Sequence, residues 1–226
     1  MSNMQINYKS VPGFAVAKAK LNPPSIELSG MMEFMQNLQD KSEQTNKQFW
    51  DQEGGMAHLH QLKEFNWLTV EVEKVVARYL SDLGYDVNRI ALFHQKSWPV
   101  ITRKNKSIDR HSHNNSILAA VFYLQCDQDS GGDLFFHMNK PSLPNIPKII
   151  SRELEFPTLL TKISPHAFDL VVFPSNLDHS VSRYNAENPR WSISYDISVT
   201  AAERLGSGNT ENVMIHPKYW REFSRP

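Results

Sequence analysis

Nine histidines stand in this sequence, at positions 58, 60, 94, 111, 113, 137, 166, 179 and 216. Imidazole is the commonest protein ligand for metals, so the spacing of these residues bears directly on chemistry. Two pairs are separated by one residue, His58/His60 and His111/His113. Residues i and i+2 of a strand project to the same side, so such a pair can grip one ion from adjacent positions. His111 and His113 fall in a predicted strand, Asp109–His113, that leads into the apolar run Ile117–Leu124. His58 and His60 lie in MAHLH with no alternating pattern around them, and read as exposed or capping histidines. A metal site needs at least one further ligand. His179 is a candidate, since it follows the apolar segment Asp169–Phe173 and a Pro174-Ser175 corner and would open a new strand. Taken alone, it reads equally as a satisfied surface or core histidine. Eleven residues later, in PRWSISYDI, Arg190 and Ser192 alternate with Trp191 and Ile193, so the two polar side chains share a face. An inward-facing arginine is costly unless an anion meets it, and a two-pronged contact with a carboxylate is the usual solution. An edge strand would instead leave Arg190 in solvent.

The elements that must position these residues change character at Gly84. Before it the chain reads as mainly helical. Met31, Met32, Phe34, Met35 and Leu38 form a loosely amphipathic segment after the Pro23-Pro24-Ser25 start signal. From Trp67 to Leu83 the residues Leu68, Val72, Val75, Val76, Tyr79, Leu80 and Leu83 make one stripe at helical period, and Gly84 supplies the stop. After Gly84 come short segments rich in β-branched and aromatic residues between Pro, Gly, Asn and Asp clusters. They predict strands near Ile90–Gln95, Asp109–His113, Ile117–Leu124, Asp133–His137, Ala167–Phe173 and Trp191–Val199. Turns are expected at Asp127–Gly132, Pro141–Pro147, Pro174–Asp178 and Asn185–Pro189. Many short strands without long helices between them indicate an antiparallel sandwich or barrel, with the front helices on one outer face.

Composition narrows the function classes. Lys plus Arg and Asp plus Glu are both 24 in 226 residues, a formal charge of zero. Binding to nucleic acid or to an anionic membrane rests on a basic excess, so neither partner is expected. The eight-residue run Ile117–Leu124 is too short to span a bilayer, and Phe14–Val16 is too brief for a signal-peptide core. The lone cysteine, Cys126, precludes an intrachain disulfide and reads as a buried, inert thiol. A cytoplasmic protein is expected.

The order His-x-His, an apolar strand ending Tyr-Leu, Gly-Gly, a Phe-Pro corner, His and then Arg-x-Ser resembles the Fe(II)- and 2-oxoglutarate-dependent oxygenases. The stretches RHSHNNSILAAVFYL, SGGDLFF, DLVVFPSNLDHSV and RWSISYD look most like their prolyl-hydroxylase-like branch. The resemblance runs from about Trp98 to Val199, and residues 1 to about 90 carry no family signature. It implies a mainly β protein: a double-stranded β-helix (a jelly-roll or cupin-like barrel) over 90–200, a helical support region over 1–89 and a tail over 201–226 packing on the core. It implies one oxygenase domain over 1–226, with His111 and His179 as iron ligands. It further implies that Arg190 holds the C5 carboxylate of 2-oxoglutarate, assisted by Ser192 and Tyr123. The family's usual motif is His-x-Asp, and here His113 stands at the Asp position. Either His113 completes the site, or Asp109 on the same face does, or only two histidines bind.

These parts suit the chemistry. Three protein ligands leave room on iron for a bidentate 2-oxo acid and for O2, and an arginine clamp fixes the cosubstrate's direction. Phe122, Phe135, Phe173 and Trp191 are candidates for an apolar wall, although plain core is the simpler reading of each. The implied cofactors are Fe(II), 2-oxoglutarate and O2, with ascorbate as a stimulant; no catalytic group is expected beyond the metal centre. A small molecule or amino acid is the expected substrate, with a peptide or protein side chain as the alternative. A cupin-type dioxygenase without 2-oxoglutarate competes, but it would want Glu where Ile117 and Leu118 stand. A zinc hydrolase lacks a carboxylate placed as base. A non-catalytic barrel binding a carboxylate through Arg190 is the reading from another class.

Overall fold

From residue 90 onward the short runs of apolar residues become, in a computed structural model, strands of two facing antiparallel sheets. The structure describes residues 5–11, 14–45, 57–137, 160–205 and 213–222. The strands are β1 Ile6–Val11, β2 Phe14–Lys20, β3 Ile90–Thr102, β4 Ile108–His111, β5 Leu118–Gln125, β6 Leu134–His137, β7 Leu160–Ile163, β8 Asp169–Pro174, β9 His179–Val181 and β10 Arg190–Ala201. The helices are α1 Ser25–Thr45 and α2 Asn66–Asp82. One sheet has the order β1-β2-β8-β5-β10-β3 and the other β4-β9-β6-β7. Together they form a double-stranded β-helix. No helix among the described residues is long and apolar enough to cross a membrane.

Strand β5 reads LAAVFYLQ, apolar at almost every position, because both of its faces are covered. Leu118, Ala120, Phe122 and Leu124 point to one side, where α1 contributes Met31, Met35 and Leu38 and α2 contributes Leu68, Val72, Val75, Val76 and Tyr79. Each fully buried apolar side chain here contributes about 1.5–3 kcal/mol. Ala119 and Tyr123 point the other way, into the space between the sheets, with Leu134, Phe136, Val171 and Phe173. The Tyr79 hydroxyl donates to the Ala15 carbonyl at 2.8 Å and ties α2 to β2. Helix α2 ends as its sequence predicts. Gly84 takes φ +87°, and the Tyr85 and Gly84 N–H groups reach back to the carbonyls of Leu80 and Ser81.

Several expectations need correction. The opening of the chain is not helical: β1 and β2 precede α1 and extend the large sheet through β8. The β2 sequence FAVAKAK is poor in strand formers. It is held by its partner β8 and by Lys18 and Lys20, whose ammonium groups lie 2.8 and 3.8 Å from the buried Asp169 carboxylate. Strand β3 continues past Gln95 through Pro99. It lies at the edge of the large sheet, where a residue lacking an N–H is tolerated. Strand β4 stops at His111, so His113 stands beyond it rather than two places along a regular strand. Phe122 and Trp191 face the helices, not the barrel interior, because each is out of phase with the inward set. Phe173 does face inward. The expected turn at Pro141–Pro147 lies outside the described residues. The tail approaches the core at the end of β10, where the Ala201 N–H donates to the Met214 carbonyl at 2.8 Å.

Candidate metal centre

The small sheet brings two distant histidines together. His111, the last residue of β4, pairs in register with His179, the first of β9. Their ring centroids lie 4.3 Å apart. His113 follows in the turn after β4, where its backbone N–H donates to the Ser175 carbonyl at 2.8 Å. Its ring centroid is 5.4 Å from that of His111 and 5.2 Å from that of His179. One ring nitrogen from each of the three lies within 4.8 Å of the others. Among the described residues no other group of three metal-binding side chains gathers in this way. The Asp109 carboxylate does not join it.

The hydrogen bonds decide which nitrogens are free. His111 Nδ1 meets the Asp109 carbonyl at 2.8 Å, and His179 Nδ1 meets the Leu177 carbonyl at 2.9 Å. His113 Nδ1 meets Asp196 Oδ1 at 2.5 Å. Carbonyls and carboxylates only accept, so each Nδ1 carries a proton, and in the neutral ring Nε2 is the nitrogen with the lone pair. In that tautomer Nε2 is the nitrogen each ring can offer to an ion. Burial lowers the His179 pKa to about 3, with His111 and His113 pushing the same way against the Leu177 hydrogen bond. His179 is neutral at any physiological pH, the form a metal requires. Phe173 packs edge-on against it, centroids 4.9 Å apart.

Arg190 opens β10 and is 1% exposed. Arg190, Ser192, Ser194 and Asp196 alternate along that strand and line a cavity of about 1080 Å³, together with Tyr123, His111, His113 and His179. The inward phase expected for Arg190 and Ser192 is therefore present. One guanidinium nitrogen donates to the Gly132 carbonyl at 2.6 Å and another to Thr102 Oγ1 at 3.1 Å. The guanidinium carbon stands 5.5 Å from the centre of the Tyr123 ring, and Tyr123 lies opposite Ser192 in the β10–β5 register. Burial pushes the Tyr123 hydroxyl up to about 12, with Arg190 opposing. It remains a neutral donor.

The charge of Arg190 is unanswered. Among the described residues no carboxylate lies within ion-pairing distance of it, and its Nε is buried without a partner. Hydrogen bonds to a charged group contribute about 1.5–3 kcal/mol each. Desolvating an ion costs several kcal/mol, and neutral acceptors leave the charge uncompensated. The structure thus holds a buried cation and an orphan donor beside three clustered imidazoles. A divalent metal and a carboxylate-bearing ligand fit these two features.

Gly-Gly now has a physical reason. A Cβ on Gly132 would sit 2.9 Å from Arg190 Nη1 and 3.0 Å from Tyr184 Cδ2, at a φ of +71°. Sequence reasoning missed Thr102 and Asp196. Asp196 was within reach, since it continues the same alternation that links Arg190 and Ser192. Thr102 is met only through the β3–β10 register, which places it opposite Arg190. Two further expectations also meet their surroundings. Cys126 is buried, its thiol pKa raised chiefly by desolvation. Of the other histidine pair, His58 is exposed, whereas His60 Nδ1 lies 2.7 Å from Ser97 Oγ.

Residues 96–196 match the family described as "Putative 2OG-Fe(II) oxygenase". No curated protein matches the chain. Among solved structures, AviO1 from Streptomyces viridochromogenes Tue57 is similar at 12% identity and a TM-score of 0.57, over 88% of this chain and 92% of that one. HygX from Streptomyces hygroscopicus, with nickel and 2-oxoglutarate bound, is similar at 14% identity and a TM-score of 0.52, over 81% of this chain and 82% of that one. A Pseudomonas putida prolyl-4-hydroxylase is similar at 12% identity and a TM-score of 0.50, over 81% of this chain and 88% of that one. At such identities the likeness is one of fold. The matched stretch, residues 96–196, carries the three histidines, Tyr123, Arg190 and Ser192.

Proposed function

We propose that this protein is an Fe(II)- and 2-oxoglutarate-dependent dioxygenase. In this reading it couples decarboxylation of 2-oxoglutarate to succinate and CO2 with hydroxylation, or a related C–H oxidation, of a small molecule or amino acid. The observation that carries it is the convergence of three imidazoles whose Nδ1 protons are all committed elsewhere. His111, His113 and His179 hold the iron through Nε2. Bound iron, with O2, supplies the oxidising power for breaking the C–H bond.

The chain's own residues do the rest. Arg190 binds the C5 carboxylate of 2-oxoglutarate, with its free Nε and remaining N–H groups supplying donors. Tyr123 and Ser192, opposite one another on β5 and β10, add hydroxyl donors and fix the direction in which the cosubstrate lies. Thr102 and the Gly132 carbonyl hold the guanidinium in place. Leu134 and Val181 line the same cavity and exclude water from the reacting groups. The cavity, about 1080 Å³, holds a cosubstrate and a second small molecule together. A small-molecule substrate agrees with the same fold in HygX, which has been solved with nickel, 2-oxoglutarate and hygromycin B bound. The whole chain, 1–226, acts as one unit in this reading, with the residues before 90 supporting the large sheet. A reducing, cytoplasmic setting suits its lone buried thiol.

The test is incubation of the full chain with Fe(II), ascorbate, O2 and carboxyl-labelled 2-oxoglutarate. Labelled CO2 and equimolar succinate are expected even without primary substrate, at a slow uncoupled rate. No succinate above the no-iron control, together with no 2-oxoglutarate binding to the metal-loaded protein, defeats the proposal.

A further inference from the structure

The third histidine differs from the other two in what stands behind it. His111 and His179 each donate Nδ1–H to a neutral backbone carbonyl. His113 donates to a carboxylate, Asp196 Oδ1, at 2.5 Å. Both side chains are 13% exposed, so the contact is largely shielded from water. A hydrogen bond to an ionised acceptor is about twice as strong as a neutral one, and shielding strengthens it further.

The fold places Asp196 there for a local reason. Along β10 the residues Arg190, Ser192, Ser194 and Asp196 face the cavity. The pairing of β10 with β3 slips by one residue between Asp196 and Ile197. The extra residue, Gln95, lies on β3, so β10 keeps its alternation and Asp196 its inward phase. Here the carboxylate meets His113 at Nδ1. Ser116 Oγ donates to the same oxygen at 3.4 Å, and Trp98 packs on the imidazole with ring centroids 5.7 Å apart. His113 is thus clamped in one orientation and one tautomer.

Three neutral imidazoles carry one negative charge fewer than two imidazoles and a carboxylate. A ligating imidazole that donates its second N–H to a carboxylate becomes a more basic ligand. We propose that Asp196 is a positioning residue for the metal site, delivering through His113 the negative charge that a directly bound carboxylate would otherwise supply. The inference rests on the reading of His111, His113 and His179 as metal ligands.

Co(II) is the probe, bound anaerobically to the full chain and followed by titration and by its visible ligand-field absorption. Asp196→Asn keeps the size and an acceptor oxygen but loses the charge; Asp196→Ala loses both. Removing the carboxylate behind a ligating histidine weakens metal binding by about 10–100-fold, and the Asn variant is expected at the lower end of that range. The ligand-field bands shift in both variants. Histidine ring 15N spectra of the metal-free protein should show His113 as the Nδ1–H tautomer in the native chain and as a tautomer mixture in Asp196→Ala. Native Co(II) affinity and native bands in Asp196→Asn overturn the proposal, and the near-isosteric change keeps that result available should the Ala variant not fold. His179→Ala separates the two readings. Loss of Co(II) there with no effect at Asp196 leaves the metal site standing and removes Asp196 from it. Native Co(II) binding in His179→Ala brings down both.

Discussion

Two groups of three histidines lie in this molecule, each begun by a His-x-His pair, and they are built for different ends. At the cavity, the rings of His111, His113 and His179 lie 4.3 to 5.4 Å apart. In the second group His58 and His60 are 5.7 Å apart, and His60 stacks on His94 at 5.4 Å. Ring proximity is therefore nearly the same. The hydrogen bonds are not. In the first group every Nδ1 has an acceptor-only partner, and one ring nitrogen from each residue lies within 4.8 Å of the others. In the second, His60 Nδ1 shares Ser97 Oγ, His94 Nε2 meets Glu73 at 3.2 Å, and His94 Nδ1 is buried without a partner. Among the described residues these three are not grouped as possible metal ligands. The second group instead fastens the segment around Leu59 to β3, where the His60 backbone N–H also donates to Ser97 Oγ. The two groups thus differ in their hydrogen-bond partners rather than in ring spacing.

The contrast is broken most sharply by deleting one ring from each group. His179→Ala should abolish stoichiometric Fe(II) binding, while His94→Ala keeps it; metal analysis after anaerobic gel filtration reads the difference. Equal metal content in the two variants would erase the distinction. The next effect concerns the anion side of the cavity. Losing one partner of a buried charged contact costs about 2–5 kcal/mol. Arg190→Lys keeps the charge but not the planar fork. We expect it to raise the 2-oxoglutarate concentration for half-maximal succinate formation by tenfold or more, on the order of 1.4 kcal/mol, with iron content unchanged. An unaltered requirement would retire Arg190 as the clamp. Gly132→Ala acts on the same guanidinium from behind. Its left-handed φ and its 2.9 Å approach to Arg190 predict lost stability of about 1–3 kcal/mol and weaker 2-oxoglutarate binding. A urea midpoint equal to that of the native chain would contradict this.

The smallest effect separates the groups by pH. Burial holds the His60 pKa below its ordinary 6.5, helped by neighbouring His94 and His58. Burial also lowers His94, opposed by Glu73. The unfolded chain therefore takes up more protons than the folded one as the pH falls below about 6.5, so the stability from these two neutral rings is complete above that pH and lost below it. A His60→Gln, His94→Gln variant should lose less stability between pH 7 and pH 5 than the native metal-free chain. Parallel urea midpoints across that range would show that the second group does not contribute.

Much of this architecture could be read without coordinates. The 3.6-residue stripe on α2 and its Gly84 stop, the apolar β5 run and the alternation of Arg190 with Trp191 are local patterns, and local sterics and solvent partition enforce them directly. Of the ordered motifs from His111 to Ser192, the described chain brings His111, His113, Tyr123, His179, Arg190 and Ser192 to one cavity. What escaped were features made by partners distant in the chain. Strands β1 and β2 have weak intrinsic preference, and β8 recruits them. Phe122 and Trp191 were assigned to a wall they do not face, since a strand's period reveals two faces but not which one meets the helices.

By itself the sequence determined which residue types were present and the phase in which Arg190 and Ser192 share a face. The tertiary structure alone decided that His113 rather than the Asp109 carboxylate joins His111 and His179, and that Asp196 stands behind it. The reason is physical: a lone pair's direction is set by the acceptor on the far side of the ring. For His113 that acceptor is 83 residues away along the chain.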